Sequence, residues 1–486
     1  MRRPTVTLIA AAAAVTSGCV TGPDYQRPAL TPPAAIRGAE QAAAAAGPSL
    51  GDAAWSDVFT DEELRALIRA ALTGNPDVRI AASRVLQAQA VLGITRADAY
   101  PTVDGQAQAG GGRVAATDSA DARTAGAIRI GAVASWELDF WGKYRRATEG
   151  ARAQLLATEW GRRAVASSVV SQVAEAYYGL RGLDLQLAIA QRALTSRQES
   201  LALTQVRERG GVTSLVDVRE AEQLVYGAGA TIADLERRIA QQENLISVLI
   251  GGYPSAVTRG LELVAQPLPP AIPAELPSAL LARRPDIQQA EQTLIAANAQ
   301  IGVARAAYFP SIALTGSGGL QSTALRALVT GGAGVWTAAA GLVQPIVTAG
   351  RTRSQVALAR ARAEEAAVVY ADTIRQAFRE ASDALVGHTK LRELREQQDL
   401  LTSAAQDARR LADIRYRGGA TSYLEVLDAE TRLFDAEIRL AQAREAELVS
   451  VVEVYRALGA GWQQDGVPGA AITGIPAATS AAAGRP

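Results

Sequence analysis

The chain has 486 residues, with 49 Lys and Arg balanced by 49 Asp and Glu, so no net charge draws it to nucleic acid or to an anionic surface. It holds one histidine and one cysteine, which excludes disulfide frameworks, zinc clusters and most acid–base chemistry near neutral pH. No P-loop, G-x-S-x-G or H-E-x-x-H motif occurs, and the sole histidine, His388, reads as a surface helix residue, so the chain is not expected to be an enzyme.

In chain order, residues 1–18 form an export signal. Arg2 and Arg3 give a positive start, Val6 to Val15 an apolar stretch, and Thr16, Ser17 and Gly18 the small residues before Cys19. A thiol immediately after the cleavage point resembles a bacterial lipoprotein signal, although Thr16 stands where that class usually has leucine. A plain secretory signal cut elsewhere is the alternative. On the lipoprotein reading Cys19 carries a covalent lipid, no other cofactor is expected, and Val20 in place of aspartate directs the protein to the outer membrane. After residue 20 no apolar run reaches the roughly 20 residues of a spanning helix, so any membrane crossing must use strands.

Residues 19–60 read as an extended N-terminal segment, followed by two copies of one unit at 61–260 and 284–460. NPDVRIAA from Asn75 aligns with RPDIQQAE from Arg284, and GITRADAYP (Gly93 to Pro101) with GVARAAYFP (Gly302 to Pro310). Trp141-Gly142-Lys143 then matches Ala349-Gly350-Arg351, RGGVTS from Arg209 matches RGGATS from Arg417, and SVLIG ending at Gly251 matches YRALG ending at Gly459. The order is the same throughout, which unrelated turns would not reproduce.

Each unit opens with a helix after Pro76 or Pro285, proline suiting the first helical position, and that helix stops before Pro101 or Pro310. A glycine-rich stretch with period-two alternation follows. From Ala127 to Phe140 the even positions are apolar (Ile128, Ile130, Trp136, Leu138) and the odd ones include Arg129, Glu137 and Asp139; Pro310 to Leu320 alternates likewise and pairs with Val335 to Val343. One long hairpin per unit results. Arg145 to Arg209 and Arg353 to Arg417 then read as helices of about 65 residues, roughly 100 Å each. Return helices run from Ser214 to Ile250 and from Ser422 to Leu458. Their length plus that of the Pro-initiated helices matches the long rods, which predicts an end-to-end stack beside each rod, unless glycines 161, 179, 182, 227 and 229 interrupt the helices. A proline-rich connector, 261–283, separates the units, and a low-complexity tail, 461–486, closes the chain.

Between the long and return helices lie Gly210, Gly211, Thr213 and Ser214, and in the second unit Gly418, Gly419, Thr421 and Ser422. Consecutive glycines permit the positive dihedral that reverses a helix, and the hydroxyls offer caps for the returning one. Two hairpins supply four strands, and an open four-stranded sheet has edges that lipid does not tolerate, so closure requires further copies. Three copies would give twelve strands. Trp136, Phe140, Trp141, Tyr144, Trp336, Tyr100, Tyr308 and Phe309 cluster near predicted strand ends, as membrane-interface aromatics do; packing at a strand–helix junction serves Tyr100, Tyr308 and Phe309 equally.

Four stretches resemble the outer-membrane factor family: CVTGPDYQRP from Cys19, the proline connector into LARRPDI from Leu281, Tyr308-Phe309-Pro310, and RYRGGATSYLEVLDAE from Arg415. The resemblance is to the TolC-like, NodT-type lipoproteins of tripartite efflux systems and covers nearly the whole mature chain. It implies a mainly α protein with membrane β strands: a homotrimer whose duplicated units build a periplasmic α-barrel and a shared twelve-stranded β-barrel. It further implies a passive exit duct for drugs or other small toxic compounds, with a periplasmic adaptor docking at the glycine turns, an inner-membrane pump, and outer-membrane lipid around the strands. Positions matching Leu424 and Asp428 narrow the tunnel mouth in that family, with Glu220 the weaker equivalent in the first unit. The family often has arginine at the position of Thr431, whereas here it is Arg432, which makes an Asp428–Arg432 pair on a solvated face the plain alternative. A lipid-anchored coiled-coil scaffold and a type I protein-secretion channel are the competing functions.

Overall fold

The computed structural model describes residues 20–29, 31, 33, 35–39, 50–114, 123–267, 277–329 and 332–462. The signal and Cys19, the middle of the connector and nearly all of the tail lie outside the described residues. Helices α1 (Trp55–Val58), α2 (Glu62–Gly74) and α3 (Pro76–Ala97) precede strands β1 (Thr102–Val114) and β2 (Arg123–Glu137), then α4 (Lys143–Arg209) and α5 (Leu215–Leu249). The second half repeats this as α6 (Pro277–Arg283), α7 (Pro285–Ala306), β3 (Ser311–Ser322), β4 (Gly334–Val343), α8 (Arg351–Arg417) and α9 (Tyr423–Ala457). Both long helices contain 67 residues and both return helices 35. Helix α2 has no predicted counterpart; Asp61 caps it by accepting from the Glu63 amide at 3.0 Å, a signal the repeat comparison passes over.

The described residues form two compact units that each draw on both repeats, within 1–31, 83–161 and 286–374 for one and within 32–82, 162–285 and 375–486 for the other. The first carries the sheet. Its four strands are antiparallel in the order β1-β2-β3-β4, with Thr102 opposite Ser135, Ile128 opposite Ser322 and Ser311 opposite Val343. β1 and β4 therefore each pair along one side only, and all ten residues of β4 are exposed. Trp336 is 81% exposed, and Ile130 and Trp136, on the apolar alternation, are also open.

In the second unit the core gathers Trp55, Phe59, Leu64 and Ile68 against Val170, Tyr177 and Tyr455. Asp61 is buried at its edge. Its carboxylate accepts from Tyr177 (2.8 Å), Gln266 (2.7 Å) and the Leu261 amide (2.9 Å). Burial alone would raise its pKa, but these hydrogen bonds prevail and hold it below the usual carboxylate value. The predicted joints are present: Asn75 donates to the Leu249 carbonyl (2.8 Å) while its own Oδ1 accepts from the Asp77 amide (2.8 Å), and Arg284 donates to the Ala457 carbonyl (3.2 Å). Each return helix thus ends on the start of its Pro-initiated helix.

The glycines do not interrupt the helices. Gly182 leaves room for a carboxyl from α9: a Cβ there would meet the Glu445 carboxylate and push that side chain aside. Burial pushes Glu445 up to about 7, partly offset by Arg238. A carboxyl raised from its unfolded value near 4.3 favours folding fully below that value, and the contribution is lost as pH rises to the folded value. Glu445→Gln should therefore match the parent in stability near pH 4 and exceed it by roughly 1–3 kcal/mol at pH 8. Denaturant unfolding followed by circular dichroism at both pH values checks this; a pH-independent difference contradicts it.

Candidate functional site

The two glycine turns share one backbone design. After α4, the Gly211 amide donates to the Glu208 carbonyl (2.9 Å) and the Val212 amide to the Arg207 carbonyl (2.9 Å). After α8, Gly419 donates to Tyr416 (3.1 Å) and Ala420 to Arg415 (2.9 Å). These are the paired bonds of a Schellman ending, and each requires the left-handed residue it has, Gly211 and Gly419 both at φ +73°. Nothing lies within 4 Å of a Cβ at either position, so the glycines serve the dihedral alone.

The caps differ between turns. Ser214 accepts from the Asp217 amide while Asp217 accepts from the Ser214 amide (3.0 Å), a reciprocal capping box. Hydrogen bonds from Thr213 and then from the Ser214 amide hold the Asp217 carboxyl below its usual value. In the second turn Ser422 sits at the N-cap, but its side chain makes no cap bond, contrary to the sequence expectation. Glu425, where the box would place its partner, pairs with Arg415 (2.7 Å) and accepts from Thr421.

Side chains without an equivalent in the other repeat join the two helical hairpins. Tyr416 and Tyr423 stack at a tilt with centroids 5.3 Å apart, and the Arg207 guanidinium lies 4.4 Å above the Tyr416 ring. Ala221, Ala412, Val426 and Leu427 complete this small core, and Arg409 reaches both Ser196 (3.0 Å) and buried Glu430 (3.4 Å). Tyr416 and Tyr423 flank the second turn symmetrically, which was a visible signal, but Glu208 and Leu215 stand at the matching positions of the first.

Outside that core the turns present apolar surface. Val212 is 74% exposed, and Leu215 and Val216 are open beside it. On α9, Leu424 is 61% exposed and Asp428 pairs with Arg432 at 2.9 Å on the solvent-facing side. Such an exposed pair contributes about 0.3–0.5 kcal/mol and does not fix the side chains strongly. Asp428 and Arg432 also border a groove of about 530 Å³ floored by Ala404, Ala408 and Ala412 of α8. Glu220, at the matching position of α5, is half-buried. His388 departs from expectation: it is half-buried rather than on the surface, its Nδ1 lies 2.9 Å from Ser450 Oγ, and burial lowers its pKa.

A second site lies where the strands meet the helices. The Thr21 amide donates to the Trp141 carbonyl (3.1 Å), buried Arg146 pairs with Asp24 (2.6 Å) and Glu149 (2.7 Å), and Arg27 grips Glu291 through two bonds of 2.7 and 2.6 Å. The segment after Cys19 is thereby fastened to the unit that carries the sheet. The aromatic residues there divide by role. Trp141 stacks on Phe309 at 4.7 Å and donates to the Pro310 carbonyl, whereas Tyr100, Tyr308 and Trp336 are exposed.

Comparison with known proteins agrees with this geometry. A family model described as outer membrane efflux protein matches residues 67–252 and again 276–460, in keeping with the duplication. The chain is 35% identical over 451 residues to the cation efflux system protein CusC of Escherichia coli O6:H1, covering 92% of this chain and 97% of that one. It is 36% identical over 465 residues to the toluene efflux pump outer membrane protein TtgC of Pseudomonas putida, covering 94% and 95%. The open-state crystal structure of the Neisseria gonorrhoeae MtrE outer membrane channel superposes with a TM-score of 0.83 at 30% identity, covering 92% and 99%.

Because Gly419 carries no packing role, Gly419→Val should act through the left-handed dihedral alone, at a cost of about 1–2 kcal/mol. Hydrogen exchange should accelerate from Arg415 to Glu425 and leave the strands unchanged, while Gly419→Asn should be tolerated. Exchange unchanged at the turn would contradict the assignment.

Proposed function

Since the chain belongs to the outer membrane efflux protein family, we propose that it is the outer-membrane exit duct of a tripartite efflux system. The observation that carries this reading is the four-stranded antiparallel sheet whose two outer edges are unpaired among the described residues, continued by helices of 67 residues. Three copies, joined β1 to β4, give a twelve-stranded barrel in which every strand is paired, and the helices extend the duct into the periplasm. A coiled-coil scaffold would have no need of such a sheet. Cys19 carries the lipid, and the clamp formed by Thr21, Asp24 and Arg27 keeps that anchor beside the strands.

The duct is passive. It performs no catalysis and binds no cofactor beyond the lipid on Cys19; an inner-membrane pump supplies the energy. A periplasmic adaptor docks on the turns through Gly210, Gly211, Thr213 and Ser214 and through Gly418, Gly419, Thr421 and Ser422, whose exposed Val212, Leu215 and Val216 offer the apolar contact. Relatives named for cations and for toluene match the chain almost equally, so the pump rather than the duct selects the cargo, here small toxic compounds.

At the mouth, three copies each of Leu424 and Asp428 face the axis, with Glu220 contributing from the first repeat. Three carboxylates around one axis repel each other, bind cations and favour the outward, open arrangement. Each carboxylate also has Arg432 within reach, which lowers the repulsion in the closed one.

The purified protein should be trimeric in detergent and conduct ions in planar bilayers. Asp428→Ala should change single-channel conductance or raise antibiotic leak several-fold while trimer assembly is unaffected. A soluble, non-conducting protein after Cys19→Ala would contradict the duct, and unchanged conductance in Asp428→Ala would leave Asp428 as one half of a solvated ion pair.

A further inference from the structure

Near the strand–helix junction a pocket of about 670 Å³ opens beside Thr21 and Gly22, two and three residues after Cys19. Arg305, near the end of α7, and Arg353 and Arg360, one above the other on α8, border it. Three arginines therefore border one open cavity, Arg305 half-buried and Arg353 and Arg360 from the exposed face of α8. Among the described residues none of the three is paired with a carboxylate, whereas the neighbouring Arg27 and Arg146 both are. Like charges bordering one cavity, with no carboxylate among them, favour an anion there. The planar fork of arginine fits phosphate oxygens through paired hydrogen bonds.

The remaining wall is apolar. Val356 and Phe309 line it, with Tyr308 at the rim, and Tyr308 and Phe309 are both substantially exposed. A free inorganic anion has no use for such a wall; a phosphate attached to acyl chains does. The acyl groups expected on Cys19 are neutral, so they account for the apolar lining but leave the arginines unexplained.

We propose that this pocket binds the phosphate of an anionic phospholipid headgroup, with Arg305, Arg353 and Arg360 on the phosphate and Val356, Phe309 and Tyr308 against the glycerol and upper acyl chains. The inference rests on the outer-membrane duct reading, which places the strand–helix junction at the membrane surface. A bound lipid here would tie the last turn of α7 and the first turns of α8 to the bilayer next to the covalent anchor.

The test uses the full-length lipidated protein in vesicles of phosphatidylethanolamine doped with phosphatidylglycerol, with retained lipid counted by native mass spectrometry and conductance recorded in parallel. The wild type should retain phosphatidylglycerol in preference to phosphatidylethanolamine. Substituting all three residues, Arg305→Gln, Arg353→Gln and Arg360→Gln, should weaken retention about a hundred-fold, taking about five-fold per arginine near a membrane surface. Substituting all three by lysine, which keeps the charge and loses the paired fork, should give retention between that of the wild type and the glutamine variant. Should the triple glutamine variant not assemble, the three single variants each should lose about five-fold. Equal retention by wild type and glutamine variants overturns the proposal, as does displacement of the lipid by inorganic phosphate at equal concentration. A glutamine variant that loses trimer stability while the wild type retains no phosphatidylglycerol also overturns it, and would show that a second copy supplies the counter-charges. If the wild type conducts in any of these cases, the lipid site alone has failed; if it neither inserts nor conducts, the duct reading fails with it.

Discussion

A β-strand in hydrocarbon cannot leave its amides and carbonyls unbonded, since each unmet group costs several kcal/mol (~2–7) with no water to compensate. That requirement governs this protein, because β1 and β4 each offer a full row of such groups on the outer edge of a four-stranded sheet. No rearrangement within one chain closes four strands into a barrel of useful width. Other copies must complete the ladder, and the exposed apolar residues Ile130, Trp136 and Trp336 then face lipid instead of water. The contacts of Thr21, Asp24 and Arg27 fasten the start of the described chain to the unit that carries these strands.

The helices follow from the same duplication. Each long helix leaves a strand and continues unbroken for 67 residues to a glycine turn, and each return helix hands over to a Pro-initiated helix through Asn75 or Arg284. Charged pairs at helical spacing, such as Arg237 with Asp234 and Arg379 with Asp383, cover the exposed faces and contribute little individually. The two turns are alike in backbone and different in side chains. The first is closed by a capping box and exposes apolar residues; the second is held by two tyrosines under Arg207. The two turns thus present chemically distinct surfaces from one chain.

Much of this was legible in the residues. Prolines at 76 and 285 mark helix starts, alternation from Ala127 to Phe140 marks a strand, and the repeated RGG turns mark the reversals, because each is a local signal with a local cause. What stayed hidden depends on contacts between distant segments. Gly182 reads as a weak point of a helix until Glu445 is seen to occupy the space above it. Ser422 reads as a capping hydroxyl, yet at the N-cap of α9 its side chain makes no cap bond, and Glu425 engages Arg415, a residue ten positions away. His388 reads as exposed until Ser450 of α9 lies against it. In the junction pocket Arg305 comes from a different helix than Arg353 and Arg360, and each of the three is typical of a helix surface taken alone.

Closure of the sheet between copies is the central claim, and disulfide trapping tests it most directly. Because Cys19 is the sole native cysteine, paired cysteines can be placed along β1, from Thr102→Cys to Arg113→Cys, and along β4, from Gly334→Cys to Val343→Cys, and oxidised in intact outer membranes, with Cys19 and single-cysteine proteins as controls. The account predicts a covalent trimer on non-reducing gels for those pairs that share a register, alternating with pairs that do not cross-link. Monomer alone across the whole set, in protein that still reaches the outer membrane, would contradict it.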